Sequence, residues 1–135
     1  MTVRKRSYIG LALGVLVAVG AVLSLPSCGF KKRLVEITIN PPAATITGAG
    51  VEIDFQALGT YIHPPETENI TTSVVWASTA NGLVTIDANT GVAFSGIDCG
   101  TVSITATAPS DPQNDSGGVV VGTALVTVNQ PGNCQ

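Results

Sequence analysis

Gly100-Thr101-Val102-Ser103-Ile104-Thr105-Ala106-Thr107 decides the fold class. Val102, Ile104 and Ala106 alternate with Ser103, Thr105 and Thr107, and a period of two places the two sets on opposite faces of an extended strand. A helix would mix them. Downstream, Ala124, Val126 and Val128 alternate in the same way with Thr123, Leu125 and Thr127, and the stretch between, Ala108 to Gly118, reads as a polar hairpin loop. Upstream, Val84 and Ile86 are followed by Val92 and Phe94 across Asp87-Ala88-Asn89-Thr90-Gly91, whose Asn and Gly suit positive backbone torsions. That is a second hairpin. Before it stand Val74-Val75-Trp76-Ala77-Ser78, with the single tryptophan of the chain as the natural core plug, and a polar stretch from Gly59 to Thr72 that reads as a loop. Val51, Ile53, Phe55 and Ala57 alternate with Glu52, Asp54 and Gln56 as one strand. Val35, Ile37 and Ile39 make the first strand, stopped by Asn40-Pro41-Pro42 because proline has no donor. Short strands separated by Gly, Pro, Asn and Asp clusters predict an all-β, antiparallel β-sandwich. Its expected core is Val35, Ile37, Ile53, Phe55, Val74, Trp76, Ile86, Val102, Ile104 and Val126.

Composition narrows what such a sandwich can do. The chain has 135 residues, 44% of them apolar, only 4% aromatic and 11% charged, enough for one modest domain with a light core. Six basic residues oppose nine acidic ones, and the six are Arg4, Lys5, Arg6, Lys31, Lys32 and Arg33. No Lys or Arg occurs from Leu34 to Gln135, so the domain repels phosphate backbones and sequence-independent nucleic-acid binding is not expected of it.

The N-terminus accounts for the apolar excess. Arg4-Lys5-Arg6 is followed by an uncharged run from Tyr8 to Leu25, the form of a signal segment and just long enough to span a bilayer. Leu25-Pro26-Ser27-Cys28-Gly29 resembles the lipobox of bacterial lipoproteins, in which the cysteine receives the lipid and becomes the mature N-terminus; Pro26 departs from the usual small residue. The resemblance implies a signal helix over residues 1–27, lipidation at Cys28, and a basic linker over 28–33 held beside anionic headgroups by Lys31-Lys32-Arg33. Gly29 is not the aspartate that favours inner-membrane retention in such proteins. The expected location is therefore the outer membrane, facing the periplasm or the cell surface. The competing reading is an uncleaved signal anchor in which Cys28 is incidental.

Residues 34–135 carry a further resemblance. Trp76-Ala77-Ser78-Thr79-Ala80-Asn81, Val84-Thr85-Ile86-Asp87, Gly91-Val92-Ala93, the Gly100 to Thr107 strand and a final Val126-Thr127-Val128 resemble, in order and spacing, the bacterial Ig-like domain of group 2. That implies an Ig-like β-sandwich used as a spacer or adhesive module, with no catalytic residue and no cofactor.

With Cys28 assigned to the lipid, Cys99 and Cys134 remain, and an exported chain permits their oxidation. Hairpin pairing sets Cys99 opposite roughly Val128, and Pro131-Gly132 offers a turn that brings the tail back. A bridge here would be worth roughly 3 to 4 kcal/mol on the chain-entropy account. Free thiols or intermolecular pairing are the alternatives.

Candidates for chemistry are sparse. His63 is the sole histidine and sits in His63-Pro64-Pro65-Glu66, a proline-stiffened loop. Glu66 and Glu68 could pair as acid and base, but no apolar pocket is indicated to separate their acidities. Asp111 and Asp115 are weak calcium candidates, because turn chemistry alone explains Asp, Pro, Asn, Ser and Gly between Ser110 and Gly118. Three function classes follow. The leading one is a lipid-anchored envelope module, non-catalytic, contacting a protein or glycan of the envelope or exterior or serving as a structural component. The second is a subunit of an envelope assembly that pairs through an exposed sheet edge, with Leu125 as an apolar contact. A small hydrolase ranks last, for want of a nucleophile, base and orienting group in context.

Overall fold

The computed structural model of the protein describes residues 29, 31–114, 117–132 and 134. The segment over residues 1–27 expected to be a signal, Cys28 and Asp115 lie outside the described residues.

Each strand follows an alternation read above or a segment between turns. They are β1 (Arg33–Asn40), β2 (Ala43–Thr47), β3 (Glu52–Asp54), β4 (Gln56–Ile62) and β5 (Glu66–Asn69). Then come β6 (Val75–Ser78), β7 (Val84–Ile86), β8 (Val92–Ser95), β9 (Gly100–Pro109) and β10 (Val119–Asn129). One layer is the sheet β2-β10-β9-β6; the other is made of β1-β4-β5 and β3-β8-β7. β3 and β4 are two halves of one extended run interrupted at Phe55, the first half pairing with β8 and the second with β1. The single strand expected over Val51 to Ala57 thus serves two neighbours. Phe55 stays tied at the break through its N–H, which donates to Gly91 O at 3.0 Å. The sheet β2-β10-β9-β6 holds the switched half of the first strand beside the G, F and C positions, and the remaining strands form the other layer, the arrangement of an immunoglobulin-like β-sandwich; Trp76 lies on β6 at strand C, where that fold buries its tryptophan.

The sandwich is not wholly antiparallel. β2, for which the alternation gave no signal, runs parallel to β10 from Ala43–Leu125 to Thr47–Asn129. The chain reaches it by changing layers at Asn40-Pro41-Pro42: β1 pairs with β4, and β2 joins the opposite sheet. Proline offers no N–H to either ladder, so the switch falls where pairing is already interrupted. Pro42 O accepts from Leu125 N at 3.1 Å, which fixes the landing point. Where β1 passes β10, a Cβ on Gly122 would lie 2.6 Å from Ile37 O, so only glycine lets the two backbones approach. Gly91 is likewise obligatory, with φ +77° and Phe55 O 2.6 Å from where a Cβ would be.

Between the layers lie Ile37, Ile39, Phe55, Val74, Trp76, Val84, and the inward sets of β9 and β10. Trp76 and Phe55 meet as tilted rings with centroids 6.3 Å apart, and the indole N–H donates to Thr71 O at 2.8 Å. Four expectations need correction. Val35 is 47% exposed whereas Leu34 is 2% exposed, because the pairing of β1 with β4 slips between Leu34 and Glu36 and this bulge reverses the alternation at the strand's start. Ile53 and Ile86 are half-buried and pack against the core from its margin, in the short sheet β3-β8-β7. In β8 it is Ala93 that is buried while Phe94 faces out. The stretch from Gly59 to Thr72 is not a loop: β4 continues to Ile62 and returns as β5, paired from Tyr61–Glu66 to Leu58–Asn69.

The bulge makes a sharp test. Leu34→Ala should cost about 2–5 kcal/mol of stability, as large-to-small core changes do, while Val35→Ala should stay within about 0.5 kcal/mol. Urea unfolding of the two variants measures the difference, and equal costs would contradict the register.

Candidate functional site

The N-terminal end of the sandwich is organised around Lys32. The β4–β5 hairpin projects Glu66 and Glu68 from alternate positions of β5, and both reach back to the residue before β1: Lys32 Nζ lies 2.6 Å from Glu66 Oε1 and 2.7 Å from Glu68 Oε1. The same ammonium sits 4.2 Å from the centroid of the Tyr61 ring. Hydrogen bonds that Lys32 donates to Glu66 first and Glu68 second push its pKa up to about 12. Burial raises the Tyr61 hydroxyl above its ordinary value, although the Lys32 charge works against it. The basic run therefore does not act as one unit. Lys32 is turned onto the protein, and Lys31 and Arg33 are the exposed members. The two glutamates serve as its counter-charges, a structural role, and not as an acid–base pair.

His63 lies on the turn of this hairpin, exposed and with φ 62°, and its peptide bond to Pro64 is cis. Asp111 caps its own turn, its carboxylate accepting from Gln113 N at 3.0 Å while its carbonyl accepts from Asn114 N at 3.1 Å. Ser110 Oγ donates to Gly117 O and closes the loop from the other side. Among the described residues no group of three or more His, Cys, Asp or Glu side chains comes together in a way that could hold a metal ion. Asp87, not singled out from sequence beyond its turn, accepts from Asn89 N, Thr90 N and Thr90 Oγ1 at 2.8–2.9 Å. The Asn89 amide above all, then the Thr90 hydroxyl and amide, hold its carboxyl below the usual range.

At the opposite end Cys99 and Cys134 form the disulfide, with Cα atoms 5.8 Å apart. The ladder sets Val128 opposite Gly100, so Cys99 falls beside Asn129, one position beyond the place expected. The tail turns at Pro131-Gly132, with Cys134 N donating to Gln130 O at 3.3 Å and buried Gln130 Nε2 donating to Gly96 O at 2.8 Å. The bridge and Ile97, Asp98, Thr101, Thr127 and Asn129 line an open cleft. Among the described residues that line it, Asp98 is the one ionisable side chain.

Between the two ends lies the outer face of β2-β10-β9-β6. The register stacks Val75–Thr107–Val121, Ala77–Thr105–Thr123, Ser103–Leu125–Ala43 and Thr101–Thr127–Thr45 in rows across it. No residue of these four strands is charged. Leu125 projects from this face; β10 is flanked by β9 and β2 and is not an edge, contrary to the expectation of edge pairing there. The edges of this sheet are β2 and β6.

No protein-family model matches the chain, and no curated protein matches it. Among solved structures, mouse cadherin-23 EC22-24 resembles it at 17% identity with a TM-score of 0.43, over 72% of this chain and 32% of that one, so the chain spans about a third of that structure's length.

Two predictions follow from the two ends. The Lys32 pKa in the folded protein exceeds its ordinary 10.5, so its contribution to stability is whole below 10.5 and is lost as pH climbs through about 12. Over that window the melting temperature of the parent should fall more steeply than that of Lys32→Met; parallel slopes would remove the ion pairs from the stability of this end. At the other end, reduction of Cys99–Cys134 should lower stability by about 2–4 kcal/mol and leave the far-ultraviolet β signal intact. Two reactive thiols in the untreated protein would contradict the bridge.

Proposed function

We propose that this protein is a lipid-anchored component of a bacterial envelope whose single Ig-like domain is a non-catalytic contact or structural module. The observation that carries the reading is where the chain enters the sandwich. Lys32 is clamped to β5 and Leu34 N donates to Ser110 O at 2.8 Å, so the chain is fixed to the sandwich four positions after Cys28. Four residues span at most about 14 Å. A lipid on Cys28 would hold the sandwich end-on and close to the headgroups, with the β4–β5 turn and the loop after β9 nearest the bilayer and the disulfide end facing away. Lys31 and Arg33 then remain available to anionic lipid, at about 1 kcal/mol each. The scattered placement of His63, Asp98 and Asp111, each at a different turn or loop, supports a module without catalysis.

The test is mass spectrometry of protein extracted from membranes. An acylated cysteine corresponding to Cys28 at the N-terminus is expected, and Cys28→Ser should abolish both processing and acylation. An intact Met1 start, with the Cys28→Ser variant indistinguishable from the parent, would refute the anchor.

A further inference from the structure

The distribution of charge over the two layers is lopsided. Glu36, Glu52, Asp54, Glu66 and Glu68 all stand on the layer of β1, β3, β4, β5, β7 and β8, whereas the four strands of the other sheet contain no charged residue. The nearest carboxylates, Asp98 and Asp111, are in loops at the ends of that sheet. Its outer face also brings large apolar side chains to solvent: Val75 is 64% exposed, Val121 52% and Leu125 50%, against 47% for Val35 and 45% for Phe94 on the other layer. The hydroxyls beside them are partly satisfied within the face, since Thr101 Oγ1 and Thr127 Oγ1 lie 3.2 Å apart across the ladder. A flat, neutral, apolar-and-methyl surface on an otherwise acidic domain is a docking surface.

We infer that this face binds a second copy of the same chain, face to face about a two-fold axis parallel to the strands. Charge selects the occupant. Nine carboxylates against three cations from Cys28 onward make two copies repel, and one of those cations, Lys32, is already neutralised by Glu66 and Glu68. The neutral face is the one broad surface on which two copies meet with their carboxylate-bearing layers turned outward. Area agrees. Strands about 4.8 Å apart and residues about 3.4 Å apart, in rows three strands wide along the ten residues of β9, give a face on the order of 500 Å², hence about 1,000 Å² for two, the size of a weak or transient specific interface. The geometry is self-complementary: a two-fold axis along the strands lays the β10 column of one copy, with Val121 and Leu125, against the β9 column of the other, with Thr107 and Ser103. The same axis leaves both N-terminal ends pointing one way, so the pairing is compatible with two anchors in one membrane without depending on them. An interface of this size is weak in solution, and confinement to a surface would raise its occupancy.

Site-directed cross-linking of the full chain in intact cells tests this. Leu125→Cys, treated with a short bis-maleimide, should give a product of twice the chain mass at least tenfold above that from Glu52→Cys on the opposite layer or from the unsubstituted chain. Adding Thr123→Glu, an exposed position whose change should leave the thermal melt unshifted, sets like charges against the facing copy and should cut the Leu125→Cys product at least tenfold. Equal cross-linking from Glu52→Cys and Leu125→Cys overturns the inference, as does a Leu125→Cys product insensitive to Thr123→Glu. A product whose mass is not twice that of the chain identifies a different partner and overturns it equally. Strong products from Ser78→Cys at the β6 edge with none from Leu125→Cys would replace face pairing by edge pairing. The outcome is read whether or not Cys28 proves to carry lipid.

Discussion

Nearly everything in this sandwich hangs from the antiparallel ladder between β9 and β10, which runs without a bulge from Pro109–Val119 to Gly100–Val128. It supplies the inward column Val102, Ile104 and Ala106 against Val126, Ala124 and Gly122, and these define the plane on which the opposite layer packs. β6 and β2 are each held by one side of the ladder. At one end its loop receives the N–H of Leu34, and at the other its termini carry the disulfide. Strict alternation matters here because a slip of one residue would turn Val126 and Ile104 into solvent and bring Leu125 and Ser103 inside.

The second constraint is the passage of the first strand from one layer to the other. β1 lies over Gly122 closely enough that no side chain fits there, and β2 then completes the four-stranded sheet as its parallel edge. An edge strand is an opportunity for foreign pairing. In most sandwiches charge blunts it, and here β2 and β6 have none. The molecule instead concentrates its carboxylates on the opposite layer. One set of residues therefore gives net repulsion, which keeps acidic domains apart in general, and leaves a single neutral direction of approach.

The two ends are built on different chemistry, which suits a module with polarity. The N-terminal end is closed by charge, one ammonium between two carboxylates over a tyrosine ring. The far end is closed covalently, with Gln130 satisfying a carbonyl of the loop before β9. An ion-paired end responds to pH and salt, and a disulfide-closed end to redox conditions. The entry of the chain at Lys32 and the disulfide-closed tail at Cys134 thus lie at opposite ends of the strands.

Alternation in the sequence was sufficient for the class of fold, for both faces of β9 and β10 and for the burial of Trp76, features that are local or follow from a period of two. Cys99 and Cys134 were legible as a pair because they are the two cysteines that follow Cys28. Val35 was misplaced because a bulge depends on which strand lies alongside, and β4 in turn is placed by β5, hidden in a stretch whose polar composition reads as loop. β2 was missed for a related reason: Ala43-Ala44-Thr45-Ile46-Thr47 has one fully buried residue and gains its order from β10 rather than from its own pattern. Lys32, Glu66 and Glu68 are far apart in sequence and unremarkable as types, and only the hairpin brings them within hydrogen-bonding distance. The neutral face was legible as a shortage of charge, but that the shortage falls on one surface, while every carboxylate on a strand falls on the other, is decided by which strands share a sheet. Residue type sets what each side chain prefers; long-range pairing sets which preferences are satisfied together.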